Sequence, residues 1–309
     1  MTQHLRIGIC ADVHHDLIPD GMERIKLFID AMKMEKPDFI IHLGDFCRPY
    51  EYNKPFMDLW NSFKGPKYHV FGNHDIDGGF SDDDVIRFWN AKGRYYSFDH
   101  KGFHFIVLFG NEKRDQNMDD HGHSIDEVRG YPRSISSEQK KWLEDDIEKT
   151  ELPVILCNHH GLDTDLDVEN GSLKDCILIR RILERANEKA GRQKVWLSIS
   201  GHWHRDFYNY YNKIHYLQIN SMSYQWLGQN YGLERMESSV YEKYPWFKFV
   251  APYNDPLWAV IELDPAGLIT VRGKKSDWIG PSPRDMGAGE EFYPSVPWIS
   301  DRVLTVEKP

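Results

Sequence analysis

Five short polar segments constrain this chain more than any other feature. Asp12-Val13-His14, Gly44-Asp45, Gly72-Asn73-His74-Asp75, Asn158-His159-His160 and Gly201-His202-Trp203-His204 each stand at the end of an apolar, β-like run or just beyond it. The runs are Leu5–Val13, Phe39–Leu43, Lys67–Phe71, Pro153–Cys157 and Val195–Ser200. Ligands of open α/β sheets bind outside the carboxyl ends of the strands, so five such clusters converge on one face. Amphipathic stretches alternate with these runs. Gly21–Lys36 places Ile25, Ile29 and Met32 near helical spacing. Ser81–Ala91 carries three aspartates in its first turn, which suits the helix dipole. Ser136 with Gln139 three residues on reads as a capping box opening a helix to about Thr150, and Leu173–Ala190 is a further helix.

Strand–helix alternation in the first half predicts parallel βαβ units. Later runs look like hairpins: Leu257–Leu263 with Leu268–Arg272 across Asp264–Gly267, and, earlier, Tyr95–Phe98 with Phe103–Phe109. The expected class is α/β, a sandwich of two mixed sheets flanked by helices. Asn111–Arg133 is polar, Asp-rich and aperiodic, a loop or lid insert at about 111–133. After Lys274 the chain turns Pro/Gly-rich, so about 274–309 reads as an extended surface tail anchored by aromatics. No repeat or low-complexity linker divides the 309 residues, so residues 1–309 are expected to form one domain.

The donor types narrow the chemistry. Aspartate, asparagine and histidine supply oxygen and nitrogen ligands suited to Zn, Mn or Fe. They are too many for one tetrahedral ion and suit two ions sharing a carboxylate, ~3.5–4 Å apart. The net charge of −10 argues against a broad nucleic-acid footprint, while bound ions still allow a small anionic substrate.

In that order the segments read D-x-H, G-D, G-N-H-D, H and G-H-x-H, and the set resembles the signature of the calcineurin-like metallophosphoesterase superfamily. By motif it is most similar to the cyclic-nucleotide-type phosphodiesterases. The resemblance implies two divalent or trivalent ions. Asp12, His14 and His204 would hold one, Asp45 would bridge, and Asn73, His159 and His202 would hold the second. His74 would serve the phosphoryl group or the leaving oxygen as a catalytic residue, with Asp75 orienting its imidazole. A water or hydroxide shared by the ions would attack phosphorus in line with the leaving oxygen. The position of the metal-bound tyrosine of purple acid phosphatases is Arg48 here, and the G-D-x-x-D-R-G of protein phosphatases is absent. The implied activity is metal-dependent hydrolysis of a phosphodiester or nucleotide-type small substrate. A phosphomonoesterase of the same family and a non-catalytic metal-binding scaffold are the alternatives, and a DNA-processing nuclease is disfavoured by the charge.

Other residues keep two readings. Arg48 and Arg205 clamp phosphate or pair with surface carboxylates, and His160 lines the pocket or packs beside it. His42, His69, His104 and His215 fall outside the motifs and read as core residues, while His121 and His123 read as a solvated loop. Cys10, Cys47, Cys157 and Cys176 have no metal or disulfide spacing and read as buried thiols. Tyr224, Trp226, Tyr231, Tyr244, Trp246, Phe247 and Trp258 form the core of a cap, an oligomer interface or a stacking surface. No run of about 18 apolar residues exists, and the N-terminus enters a strand with no leader-like stretch, so no membrane span and a cytoplasmic location are expected.

Overall fold

The computed structural model describes residues 4–112, 133–163, 172–289 and 294–307. In chain order the principal elements are β1 (Leu5–Cys10), α1 (Gly21–Glu35), β2 (Phe39–His42), α2 (Lys54–Asn61), β3 (Lys67–His69), α3 (Asp82–Trp89), β4 (Tyr96–His100), β5 (Phe103–Val107), α4 (Ser137–Lys149), β6 (Val154–Cys157) and α5 (Cys176–Ala190). Then follow β7 (Val195–Ser200), β8 (Phe207–Tyr211), β9 (Ile214–Gln218), β10 (Tyr224–Trp226), α6 (Ser238–Lys243), β11 (Val250–Pro252), β12 (Ala259–Asp264), β13 (Leu268–Gly273) and β14 (Arg302–Thr305).

Two six-stranded sheets run β14-β13-β12-β1-β2-β3 and β4-β5-β6-β7-β9-β8. Strands β1, β2 and β3 pair in parallel, as do β5, β6, β7 and β9, while β12–β14 and the two outer strands β4 and β8 pair antiparallel. The mixed two-sheet class expected from the sequence is what forms.

Strand periodicity sorts the side chains into layers. Leu5, Ile7 and Ile9 of β1 meet Phe103, Phe105 and Val107 of β5 in the core between the sheets. Cys10 and Ile40 turn the other way, onto Phe28 and Met32 of α1, Phe56 and Trp60 of α2 and Trp89 of α3. Ile106 and Leu156 likewise face Leu143 and Ile147 of α4 and Ile179 and Leu183 of α5. Apolar burial on both faces is what parallel strands require. A smaller cluster of Ile18, Tyr224, Tyr241, Phe247 and Val250 carries the two-stranded β10–β11 sheet.

Local readings hold with two corrections. Ser81 and Asp84 form a full capping box on α3. Ser136 accepts from the Gln139 N–H at 3.1 Å, but the Gln139 side chain turns instead to both backbone groups of Phe109 and to Glu112. The α4 cap is therefore half a box, because Gln139 braces the end of β5. The tail is also more than a surface strap: Arg302–Thr305 pairs with β13 as an edge strand, and Ile299 is buried in the intersheet core. The proposed insert at 111–133, with His121 and His123, lies almost wholly outside the described residues. Among the described residues no helix is long and apolar enough to cross a membrane.

Candidate active site

Strands β1, β2, β3, β6 and β7 all end at one edge of the sandwich, and the five motif segments follow them. Asp12, His14, Asp45, Asn73, His159 and His204 are buried there, with His202 half-buried. Five of these residues sit in left-handed backbone: Asp12 (φ 51°), His14 (50°), Asp45 (49°), His202 (71°) and His204 (51°). Such conformations persist when the surroundings over-determine them, and they cluster at functional sites. Here the over-determination is visible. The N–H of Asp12 donates to the Gly44 carbonyl at 3.1 Å, and that of His14 to the Asp45 carbonyl at 2.8 Å. The His202 N–H donates to the Asp12 carboxylate at 2.9 Å, and the His74 N–H to Asp45 Oδ1 at 2.9 Å. Two glycines allow the loops to approach this closely. A Cβ on Gly72 would lie 2.1 Å from Asp45 Oδ1, and one on Gly44 would lie 2.5 Å from His159 Nδ1.

The imidazoles are oriented by backbone carbonyls. His159 Nδ1 donates to the Leu43 carbonyl at 2.7 Å, and His204 Nδ1 to that of Tyr224 at 2.8 Å. Each ring thereby turns Nε2 inward, the arrangement in which a metal-ligating histidine has its tautomer fixed by the other nitrogen. His204 Nε2 lies 3.4 Å from Asp12 Oδ1 and 3.2 Å from His14 Nε2. His159 Nε2 lies 3.1 Å from Asn73 Oδ1 and 3.1 Å from His202 Nδ1. Asp45 Oδ2 stands between the two groups, 3.5 Å from His14 Nε2 and 3.3 Å from His159 Nε2. All seven residues expected to bind metal are thus brought together.

The electrostatics follow from crowding. Burial and neighbouring imidazoles hold His14 and His202 well below the ordinary histidine range, against the pull of Asp45. Burial also acts downward on His159, but Asp45 and Asp12 outweigh it and raise the ring to about 9. Burial works against the Asp45 carboxylate, yet His159, His74 and His14 hold it well below its usual range.

The remaining expected site residues divide. Asp75 does not orient His74, and this corrects the sequence reading. Its two carboxylate oxygens accept the backbone N–H groups of Asp45 (3.0 Å), Phe46 (2.7 Å) and Gly72 (2.7 Å), tying the loop after β2 to the loop after β3. Asp77 takes the orienting place: its Oδ2 lies 2.8 Å from His74 Nδ1 and 2.9 Å from Arg48 Nη2. The only sequence sign of this was an aspartate three residues after His74, in a turn closed by the Asp77 N–H on the His74 carbonyl. Burial lowers the His74 imidazole, but Asp45 and Asp77 prevail and raise it. His160 is buried beside His202, ring centroids 4.5 Å apart, and neither of its ring nitrogens has a partner among the described residues. Arg48 and Arg205 both line the cavity at the site.

That cavity, about 650 Å³, is floored by His14, Asp45, His74, His202 and His204 and walled by Trp203, Tyr224, Trp226 and Trp246. Tyr224 stacks on His14 at 5.2 Å between centroids. The other aromatics of the set divide as well. Phe247 is buried and Trp258 packs against Phe28, whereas Trp226 and Trp246 are exposed.

The donors suit metal. Asp12–His14–His204, Asp12–Asp45–His159 and His159–His160–His202 each bring three potential ligand atoms within 4.8 Å of one another. The inward nitrogens face one another and carboxylate oxygens, a donor set matching Mn, Fe or Zn, and the unpartnered His160 ring lies at its edge.

The Calcineurin-like phosphoesterase family profile matches residues 5–206, which take in every one of these donors. The chain belongs to the calcineurin-like phosphoesterase family. The family is metal-dependent and acts on phosphorylated substrates, so this phosphoesterase is a hydrolase by descent. Among solved structures, a dimetal phosphatase from Danio rerio is similar, at 14% identity and a TM-score of 0.63, covering 89% of this chain and 98% of that one. A putative 5′-nucleotidase from Staphylococcus aureus shares 14% identity at a TM-score of 0.46, over 89% of this chain and 54% of that one. At 14% identity the likeness to the first of these concerns the fold. No curated protein matches the chain.

Proposed function

We propose that this phosphoesterase hydrolyses a phosphodiester or nucleotide-type small substrate at a two-ion site. Asp12, His14, His204 and Asp45 hold one ion, and Asp45, Asn73, His159 and His202 hold the other. The observation that carries the reading is Asp45 Oδ2, which stands within 3.5 Å of one nitrogen from each group. When bound, the ions supply Lewis-acid charge to the phosphoryl oxygens and make water a competent nucleophile near neutral pH.

The chain's own residues do the rest. His74 presents its ring to the cavity beside Asp45, and its Nδ1 is engaged by Asp77. Its other nitrogen is then the proton donor to the leaving oxygen, a role in which a positioned imidazole contributes ~10²–10⁴-fold. Asp77 keeps that ring in register and keeps its charge. Arg48 is shared with Asp77, so its positive charge is already partly answered within the protein. This favours a diester, with one negative charge at phosphorus, over a monoester with two.

The test compares manganese-loaded protein on bis(p-nitrophenyl) phosphate and p-nitrophenyl phosphate, with His74→Ala as control. Preference for the diester, lost in the control, supports the reading. Preference for the monoester makes the protein a phosphatase, and two bound ions with no turnover on either ester make it a metal-binding scaffold.

A further inference from the structure

We propose that the exposed indoles of Trp226 and Trp246 form a stacking platform for a planar heteroaromatic ring of the substrate, so that the phosphoester cleaved belongs to a nucleotide. This rests on the phosphoester reading above and specifies its substrate.

Trp226 is 42% exposed and Trp246 49% exposed, and both border the same cavity as His14 and His74. Large aromatics left open at the mouth of a polar site call for an occupant in a way that scattered surface apolar residues do not. The two indoles are held in place. Both lean on Phe249, with centroids 6.5 Å away at 72° for Trp226 and 5.9 Å away at 56° for Trp246. Trp226 is the last residue of β10, paired with Val250 of β11, and the Phe249 N–H closes a turn onto the Trp246 carbonyl at 3.0 Å.

The platform is in register with the chemistry. Tyr224, two residues before Trp226 on β10, is the residue whose carbonyl orients His204. Two residues of strand span ~6–7 Å, a separation that a ribose covers between phosphate and base. The chemistry of the wall selects a ring over an alkyl chain. Leu17 is the one aliphatic residue among the described ones that border the cavity, where an acyl site would show several. Arg48 and Arg205 border it too, beside Asp45 and Asp77, with Arg205 over the Trp203 ring at 4.6 Å, so guanidinium groups stand at the same wall for the phosphate end of the ligand. Indole faces accept any base, and stacking on them tolerates sequence and ring type.

The test is calorimetric binding of three phosphates to the manganese-loaded protein in a His74→Ala background, where turnover does not consume the ligand. Adenosine 5′-monophosphate is expected to bind at least tenfold more tightly than ribose 5-phosphate and than n-hexyl phosphate. Trp226→Ala and Trp246→Ala should each reduce that preference at least threefold and leave ribose 5-phosphate binding unchanged. Trp246→Phe, which keeps a ring with little risk to folding, should retain most of it. Equal binding of the nucleotide and ribose 5-phosphate overturns the inference and leaves the phosphoester reading standing. Hexyl phosphate binding as tightly as the nucleotide overturns it as well, in favour of a greasy wall. If none of the three phosphates binds, the inference is overturned, while the phosphoester reading stands or falls on its own turnover test.

Discussion

Two sets of buried histidines occupy this molecule, and they differ in how their nitrogens are used. In the core, His42 meets His69 at 2.8 Å through Nε2 and takes the Gly44 N–H at 3.3 Å on Nδ1. His104 is clamped between Asp99 (2.6 Å) and Asp146 (2.8 Å), and His215 between the Tyr208 hydroxyl (2.8 Å) and the Thr305 carbonyl (3.2 Å). At the strand ends, His159 and His204 engage one nitrogen with a backbone carbonyl and turn the other toward carboxylates and other imidazoles. Burial is alike in the two sets. What distinguishes the site is a group of inward donors that face one another and two carboxylates, a set suited to a cation.

The strongest way to break this contrast is to remove its shared carboxylate. Asp45→Asn should cost about 10⁴-fold in turnover, or ~5 kcal/mol at 1.36 kcal/mol per factor of ten, and should lose one of two ions by elemental analysis. His215→Gln, in the other set, should leave both ions and turnover in place. If the two variants lose metal equally, the distinction between the sets is wrong. Next, His74→Ala should lower kcat by about 10³-fold with both ions retained, because the ring acts on the leaving group and not on metal. Loss of an ion in that variant would make His74 a ligand.

A third prediction concerns the core set alone. Burial, with Lys67 nearby, lowers His69 to about 3, so the folded protein keeps this ring neutral where the unfolded chain protonates it at about 6.5. The unfolded state therefore binds more protons below about 6.5. The stabilisation is present above that pH and is lost as pH falls from about 6.5 toward 3. A loss on the order of 2–4 kcal/mol is expected in urea melts across that window. His69→Gln should flatten the slope, and an unchanged slope would contradict the assignment. The smallest effect sharpens the site itself. Asp77→Asn should reduce kcat about tenfold, in the range for groups that orient a catalytic ring or ligand. Asp75→Asn should instead lower the melting temperature, since it loosens three backbone hydrogen bonds. The reverse pattern would return the orienting role to Asp75.

The clustered Asp, Asn and His residues were legible in the sequence because each has a fixed place at a strand end, and parallel topology sends those ends to one edge. The class of fold was legible for the same reason. Pairing order was not. Strand β1 lies between β2 and β12, two strands about 220 residues apart in the chain, and nothing local in Ala259–Asp264 names that neighbour. Strand β14 hid in a Pro/Gly-rich tail because four residues are enough to extend an edge already formed by β13. Asp77 was missed because Asp75 and Asp77 are alike in type and both near His74. Only the turn that carries Asp77 back over the ring, and the three N–H groups that occupy Asp75, tell them apart. The aromatic set resisted a single reading for a related cause: Phe247 enters the small core under β10 and β11, while Trp246, its chain neighbour, faces the cavity.

Under the proposed two-ion site, the strand-end set would bind two ions about one carboxylate and the core set none. Anomalous diffraction from crystals grown with manganese tests it directly. The expected result is two peaks ~3.5–4 Å apart on either side of Asp45, with His14 and His204 at one and His159 and His202 at the other. A single peak, or a peak between His42 and His69, would contradict it.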